Sequence, residues 1–343
     1  MTAPTGTTGR PLLTEQGETY AGILGIGAYR PKRLVPNAEI VDAIDSSDEW
    51  IQQRSGIKTR RFADDSETVV AMSVAASRDA LAAAGVDPRQ VDCVILATVS
   101  HLLQTPSAAT AVAHELGTDQ AAAFDISAAC AGFCHAVALG ADLVRGGSAR
   151  HVLVIGVERL SDITSPTDRG TAFIFADGAG AAVIGPSDTP AIGPVVWGSD
   201  GEPKQYDLIR QREDWRDVLV ADEPVMPHLT MQGNEVFRWA SFSMAKVALQ
   251  ALDRAGVTVD ELDCFVPHQA NNRITDAMAR AMKLPPHVRI ARDIVDSGNT
   301  SAASIPLALE RMIRDGEAKS GDVALLIAFG AGLSYAAQVV TIP

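Results

Sequence analysis

The sequence predicts an α/β fold made of two similar halves, and three observations carry that prediction. The chain repeats: Ala80 to Cys93 reads ALAAAGVDPRQVDC and Ala251 to Cys264, 171 residues on, reads ALDRAGVTVDELDC, with 7 of 14 positions identical. In both copies an alanine-rich helix runs into a glycine suited to a left-handed C-cap, Gly85 or Gly256. A nearly unbroken apolar strand follows each time, 91–98 or 262–267, as expected of strands covered on both faces. The composition agrees. With 343 residues, 47% hydrophobic and 21% charged, the chain can bury roughly three quarters of its unfolded surface, which excludes collagen-like, coiled-coil and disordered classes.

Along the chain, residues 1–20 are a Thr/Gly/Pro mixture that reads as a flexible arm and lacks the basic and apolar regions of a secretory signal. Gly25-Ile26-Gly27 starts like a dinucleotide fingerprint, but Arg30 takes the third glycine's place and Pro31 spoils the following helix. No P-loop, HExxH or EF-hand pattern occurs. Ser46 or Ser47 caps a helix that puts Trp50 and Arg54 on one face. A helix through His135 ends near Gly146-Gly147, and 151–156 is a strand. Each half closes on a Gly-Ala-Gly segment running into a strand, 178–184 and 330–340. The Pro/Gly-rich stretch 185–197 marks the crossing between an N-terminal half, 21–190, and a C-terminal half, 191–343. Between them 198–227, polar and holding Lys204, Arg210, Arg212 and Arg216 among acids, reads as a surface loop or lid.

A formal charge of -13 argues against nucleic acid and anionic membranes as partners. No apolar run is long enough to span a bilayer. The 4 cysteines are too sparse for a disulfide scaffold and form no CxxC pair, which fits a reducing, cytoplasmic compartment. No metal site is expected.

Chemistry concentrates at three places. Cys130, in FDISAACAGF, sits where a strand end meets a helix, and free N–H groups with the positive helix end should lower its pKa and supply a nucleophile. Cys93 and Cys264, inside apolar strands, and Cys134, one turn beyond Cys130, read as packing residues. His268 ends the second-half strand in VPHQANNRI, and ligands gather at strand carboxyl ends in open α/β sheets. The remaining histidines, among them His101, His114, His151, His228 and His287, read as surface or satisfied core residues. Asn299, in SGNTSAASIP, lies near position 301, which the 171-residue repeat pairs with Cys130, so symmetry should bring the two loops together.

Those three motifs, in that order, resemble the β-ketoacyl-acyl carrier protein synthase III family, the initiating condensing enzymes of fatty acid synthesis. So do SSDEWIQQRSGI (46–57), PTDRG (166–170), DGAGAAV (177–183) and MQGNEVF (231–237), and the likeness extends from Ala21 to Pro343. It implies the thiolase fold, two duplicated α/β halves in a layered α-β-α-β-α body. It also implies a decarboxylative Claisen condensation of an acyl-CoA primer with malonyl-acyl carrier protein, with CoA thioester as substrate and no cofactor. Cys130, His268 and Asn299 would be catalytic, with an oxyanion hole from the N–H groups of Cys130 and Ala331. Phe329-Gly330-Ala331-Gly332 departs from the family's Phe-Gly-Gly-Gly, and a backbone donor survives alanine if φ is negative.

By the same resemblance Trp50 and Arg169 sandwich the CoA adenine, Arg54 and Arg273 meet its phosphates, and Gly233 and Asn234 line the pantetheine tunnel. Arg273, Arg280 and Arg238 would form a basic patch for the acidic carrier protein. A homodimer is implied, in which a partner supplies the bottom of the primer pocket, lined by Thr105 and Phe329. Thr105 stands where acetyl-using relatives commonly carry Phe, which predicts branched or longer primers. The nearest rival is a different thiolase-fold enzyme, but elongating synthases pair Cys with two His and thiolases use a second catalytic Cys where this chain has HQANN and GNTS. Three other readings stay open. One is a priming ketosynthase of a specialised polyketide pathway, and another a catalytically silent carrier-protein-binding homologue. The third is a papain-like Cys/His/Asn protease, which the duplicated halves and the CoA-site residues disfavour.

Overall fold

The computed structural model describes residues 16–118, 120–200 and 205–343, so the expected arm up to position 15 and Lys204 lie outside the described residues. The first half runs β1 (Tyr20–Tyr29), β2 (Arg33–Pro36), α1 (Asp48–Ser55), β3 (Thr59–Phe62), α2 (Val69–Ala84), β4 (Cys93–Ala97), α3 (Ala108–Leu116), β5 (Ala122–Ile126), α4 (Gly132–Arg145), β6 (Val152–Arg159) and β7 (Asp177–Ser187). The second runs β8 (Val196–Ser199), β9 (Ile209–Gln211), α5 (Trp215–Val220), β10 (Leu229–Met231), α6 (Gly233–Ala255), β11 (Cys264–Pro267) and α7 (Asn272–Met282). It ends with β12 (Arg289–Ile290), α8 (Ile294–Ser297), α9 (Ser304–Arg314), β13 (Val323–Gly330) and β14 (Ser334–Thr341).

Two five-stranded sheets share one topology. The first is ordered β1-β7-β6-β4-β5 and the second β8-β14-β13-β11-β12, with the same antiparallel and parallel pairings at matching places. Helices α4 and α9 fill the space between the sheets: Phe133, Val137, Ile305 and Leu309 pack against Ile95 and Val154 on one side and Val266 and Leu326 on the other. Helices α2 and α3 cover the outer face of the first sheet, α6 and α7 that of the second. The result is the layered α-β-α-β-α body. Each fully buried Leu, Ile or Phe at these interfaces contributes about 1.5–3 kcal/mol.

Both predicted caps are left-handed, with φ of 65° at Gly85 and 68° at Gly256, and β4 and β11 are buried along their whole length. The repeat slips once. The 171-residue offset holds from Ala84 to Ala255 and from Cys93 to Cys264, but the 3-10 turns before α4 and α9 span Ala129–Ala131 and Ser301–Ala303. The second half therefore carries one extra residue, and the counterpart of Cys130 is Ala302 rather than position 301. The two Gly-Ala-Gly segments also differ: Gly178 to Gly180 lies within β7, whereas Gly330 ends β13 and the next residues turn into β14. The crossing is shorter than expected, because β7 continues to Ser187 and β8 begins at Val196. Among the described residues no helix is long and apolar enough to cross a membrane.

Candidate active site

The site lies where carboxyl ends of strands from both sheets meet. Cys130 follows β5 in the turn leading into α4, His268 directly follows β11, Glu158 is the last but one residue of β6, and Gly330 ends β13. Asn299 follows α8, and its backbone is held on both sides: its N–H donates to Ile174 O at 2.9 Å and its carbonyl accepts from Ala176 N–H at 2.9 Å. Cys130, His268 and Asn299 line one cavity of about 430 Å³ that runs out past Phe237, Arg54 and Trp50. Cys130 also lines a second chamber of about 280 Å³, with Val99, Leu160, Ile163, Leu229, Ser301 and Ala331. The sulfur thus stands at the junction of an outer channel and an inner, mostly apolar chamber.

Hydrogen bonds fix the orientation of two polar side chains. Asn299 Oδ1 accepts from Ser301 N–H at 2.8 Å, which makes the amide Nδ2 the donor left for the cavity. His268 Nδ1 lies 2.7 Å from Ser304 Oγ, and the same oxygen accepts from Gln269 N–H at 3.4 Å. In the tautomer that carries the imidazole proton on Nε2, the Ser304 hydroxyl donates to Nδ1 and the ring offers an N–H to the cavity. The His268 ring also stands edge-on to Phe329 with centroids 5.5 Å apart. Burial lowers the His268 pKa to about 3, so the ring is neutral at physiological pH. In that tautomer the cavity is lined by two neutral N–H donors, His268 Nε2 and Asn299 Nδ2.

The thiol differs from expectation. Burial pushes Cys130 up to about 11, and the Glu158 charge adds to the rise; hydrogen bonds from Ser301 and from the N–H groups of Cys130 and Ala331 oppose it without prevailing. A helix start alone does not make a thiolate when burial of most of the side chain and a nearby carboxylate, Glu158, oppose it. The N–H groups of Cys130 and Ala331 both favour the thiolate, and Ala331 is not among the residues with positive φ, so a side chain at 331 leaves that N–H usable. Gly330 is needed for space: a Cβ there would lie 2.7 Å from both Cβ and Sγ of Cys130. A Gly330→Ala chain is expected to fold but to acylate Cys130 about 100-fold more slowly, since a displacement of about 1 Å at a reacting atom costs that much. Single-turnover mass spectrometry alongside a melting curve checks this, and an unchanged acylation rate contradicts it.

At the mouth, α1 starts on Ser47, whose Oγ accepts from Trp50 N–H at 3.2 Å. Arg169 lies over the Trp50 ring at 5.1 Å and Arg54 at 5.8 Å, while Arg273 covers Phe237 at 4.8 Å. Two stacked contacts need about 7 Å, so Arg169 must swing off Trp50 before a base can lie between them. Gly233 and Asn234 line the channel, and Arg54 donates to Asn234 Oδ1 at 3.3 Å. Arg238 and Arg280 do not line it; they stand exposed on α6 and α7. One primer-pocket expectation needs correction: Phe329 lines the outer channel beside His268 and not the second chamber. Thr105, expected to serve a partner's pocket, is exposed and lines neither chamber of its own chain. Conversely, 198–227 is more than a surface loop. Its strand β9, paired with β10 just beyond the segment, places Ile209 in both chambers and Arg210 and Gln211 in the inner one.

Sequence reasoning missed Glu158, Ser301 and Ser304. The signals were faint: a lone acid ending an apolar strand reads as surface, and the serines sit in a run of small residues.

Comparison with known proteins follows the same lines. The family model described as 3-oxoacyl-[acyl-carrier-protein (ACP)] synthase III matches residues 124–201, and its C-terminal counterpart matches 252–342. The chain is 58% identical to beta-ketoacyl-[acyl-carrier-protein] synthase III of Streptomyces glaucescens, over 96% of this chain and 98% of that one. It is 54% identical to the mycobacterial beta-ketoacyl-[acyl-carrier-protein] synthase III of Mycobacterium avium, over 95% and 97%. Among solved structures, the priming beta-ketosynthase from the R1128 polyketide biosynthetic pathway matches with a TM-score of 0.94 at 48% identity, covering 97% of this chain and 99% of that one. The 3-oxoacyl-[acyl-carrier-protein] synthase III of Aquifex aeolicus matches with a TM-score of 0.87 at 36% identity, covering 94% and 100%.

Proposed function

The chain belongs to the β-ketoacyl-acyl carrier protein synthase III family, of thiolase fold, and from that membership we propose how its own residues carry out the condensation of an acyl-CoA primer with malonyl-acyl carrier protein. The observation that carries the reading is the convergence of Cys130, His268 and Asn299 on one channel, with a second chamber behind the sulfur. The primer enters past Trp50, Arg54 and Arg169 and places its acyl chain in the inner chamber. Cys130 attacks the thioester carbonyl, the N–H groups of Cys130 and Ala331 hold the oxyanion, and CoA leaves. Malonyl-acyl carrier protein then fills the emptied channel. His268 Nε2 and Asn299 Nδ2 donate to its thioester oxygen, so that loss of carbon dioxide leaves a stabilised enolate. The enolate carbon attacks the acyl group on Cys130 and releases the β-ketoacyl product. Arg273, with Arg238 and Arg280 exposed nearby on α6 and α7, gives a locally cationic face for an acidic carrier protein on a chain of net charge -13.

Strand β5 is the edge of its sheet, and Phe124, Leu102 and Leu103 near it are 39%, 48% and 59% exposed. That favours a homodimer across this edge, with the partner subunit's Thr105 closing the inner chamber. The free thiols suit a reducing, cytoplasmic setting. A chamber of about 280 Å³ lined by Val99, Leu160, Ile163 and Leu229 suits branched or longer primers better than acetyl. In competition between isobutyryl-CoA and acetyl-CoA, mass spectrometry of the acyl-enzyme should show isobutyryl-Cys130 in excess by about 10-fold, the worth of one or two buried methylenes. A preference for acetyl contradicts the primer assignment. The likeness to a priming polyketide ketosynthase favours the same chemistry in a specialised pathway as the second reading, and activity with each pathway's carrier protein separates the two.

A further inference from the structure

A buried carboxylate between the two halves has no part in the condensation outlined above. Glu158, next to the end of β6, is fully buried, and among the described residues no cation pairs with it; the adjacent Arg159 turns to Asp65 and Asp162. Its Oε2 accepts from three donors of the loop after β4: Ser100 Oγ at 2.6 Å, Val99 N–H at 3.1 Å and Thr98 Oγ1 at 3.2 Å. Those bonds stay within the first half. Its Oε1 reaches into the second half and accepts from the Ser301 hydroxyl at 3.1 Å. The N–H of that same serine donates to Asn299 Oδ1 at 2.8 Å, the only hydrogen bond of the Asn299 side chain among the described residues.

We propose that Glu158 is a positioning residue for the malonyl half-reaction: its tie to the Ser301 hydroxyl, across the two halves, holds the Ser301 N–H on Asn299 Oδ1 and so keeps Asn299 Nδ2 turned to the cavity. The proposal rests on the reading of Asn299 as a donor to the enolate oxygen. An amide has two ends of nearly the same shape, and the donor at 301 decides which of them faces the thioester. With the amide reversed, Oδ1 would meet an oxygen that is gaining negative charge, and the site would repel the enolate it has to hold.

The duplicated fold supplies an internal comparison. Ser301 sits at φ 46°, in the left-handed region, and Ala129, its counterpart in the turn before α4, sits at φ 44°. An alanine thus meets the backbone requirement of this turn, so the serine hydroxyl is not there to make it. Where the second half has Asn299, the first has Ser127. The tie therefore occurs in the half that carries the amide. Glu158 lines neither chamber; it acts through Ser301 and not on the substrate. Burial pushes Glu158 up to about 7, yet the tie survives titration, because the carboxylate accepts from the Ser301 hydroxyl and a protonated Oε1 donates to it.

The test measures the two half-reactions apart on the full chain, as carbon dioxide release from malonyl-acyl carrier protein and as acylation of Cys130 by isobutyryl-CoA. Glu158→Ala should release carbon dioxide about 10-fold more slowly, part of the loss of about 100-fold that a misplacement of about 1 Å brings. Its KM for the malonyl thioester should be unchanged, and its acylation rate should stay within a few-fold of the original. Ser301→Ala should show the same fall in carbon dioxide release. Glu158→Gln should restore the rate, because its amide oxygen can face the three donors and its NH2 the Ser301 oxygen. In an Asn299→Ala chain neither alanine substitution should cost anything more, since no amide is left to orient. If Glu158→Ala does not fold, Ser301→Ala decides, because it leaves the three bonds to Oε2 in place and its backbone conformation is one that Ala129 adopts. A glutamine chain as slow as the alanine one, a full further loss in the Asn299→Ala chain, or both half-reactions falling together in Glu158→Ala would overturn the proposal. An Asn299→Ala chain that releases carbon dioxide at the original rate overturns instead the reading of Asn299 on which it rests.

Discussion

Replacing Cys130 by alanine is expected to abolish the acyl-enzyme and cut condensation on the order of 10⁴-fold or more, while the chain still decarboxylates malonyl thioester. The sulfur is the only thiol at the junction of the two chambers, so no other can take its place. Cys134, one turn further, is fully buried in the core between the sheets, and Cys93 and Cys264 are buried within β4 and β11. The donors for the enolate are on other elements, His268 after β11 and Asn299 after α8, and their orientation depends on Ser304 and Ser301 rather than on the thiol. The half-reactions therefore separate. Intact-protein mass after isobutyryl-CoA should show no adduct, carbon dioxide release from malonyl thioester should persist, and the melting temperature should stay within a few degrees. Losing carbon dioxide release together with the adduct would mean that the sulfur also organises the malonyl site.

How much of this was legible in the sequence depends on which force each feature answers to. The duplicated halves were legible because burial of a sheet on both faces leaves apolar runs, and glycine caps punctuate them in both copies. Cys130 and His268 stood out because each ends an apolar segment on small or polar residues, where the chain must turn and a ligand can approach, and Asn299 because the repeat brings its loop near that of Cys130. The register of the second turn was not legible, since one added residue among short loops leaves no periodic trace. The direction of the Cys130 pKa was missed for a reason of a different kind. A helix start is visible in sequence, but the packing around the thiol and the carboxylate near it arise only when β6, from a distant stretch of chain, comes to lie beside the turn of Ser301. The same holds for Ile209, whose ribbon looked like polar surface until β9 paired with β10 across the two chambers. Thr105 shows the opposite limit, a position that a single chain leaves exposed.

The second large effect should fall on the other half-reaction. Asn299→Ala, and separately His268→Ala, are expected to acylate Cys130 at close to the original rate and then stall, with decarboxylation and condensation reduced roughly 100- to 1000-fold, the cost of one preorganised oxyanion donor. The geometry explains why the loss is that large. Asn299 is pinned at its backbone by Ile174 and Ala176 and at its side chain by Ser301, and His268 is held by Ser304 and by the edge of Phe329, so neither donor has to reorganise as charge develops on the thioester oxygen. Asn299→Asp should be no better than alanine, because its carboxylate would bring negative charge to an oxygen that is itself gaining it. The pH dependence then tells which form of His268 is at work. With its pKa held near 3 by burial, the neutral ring is the form present from about pH 5 upward, and the decarboxylation rate should be flat from there to about pH 9. A rate that fell as pH rose through 6 to 7 would mean that the imidazolium, not the neutral ring, donates. Burial of that ring also has a cost in acid. A histidine at about 3 in the folded chain and at 6.5 unfolded binds its proton more readily when unfolded, so stability is lost as pH falls below 6.5 and the loss is complete near 3.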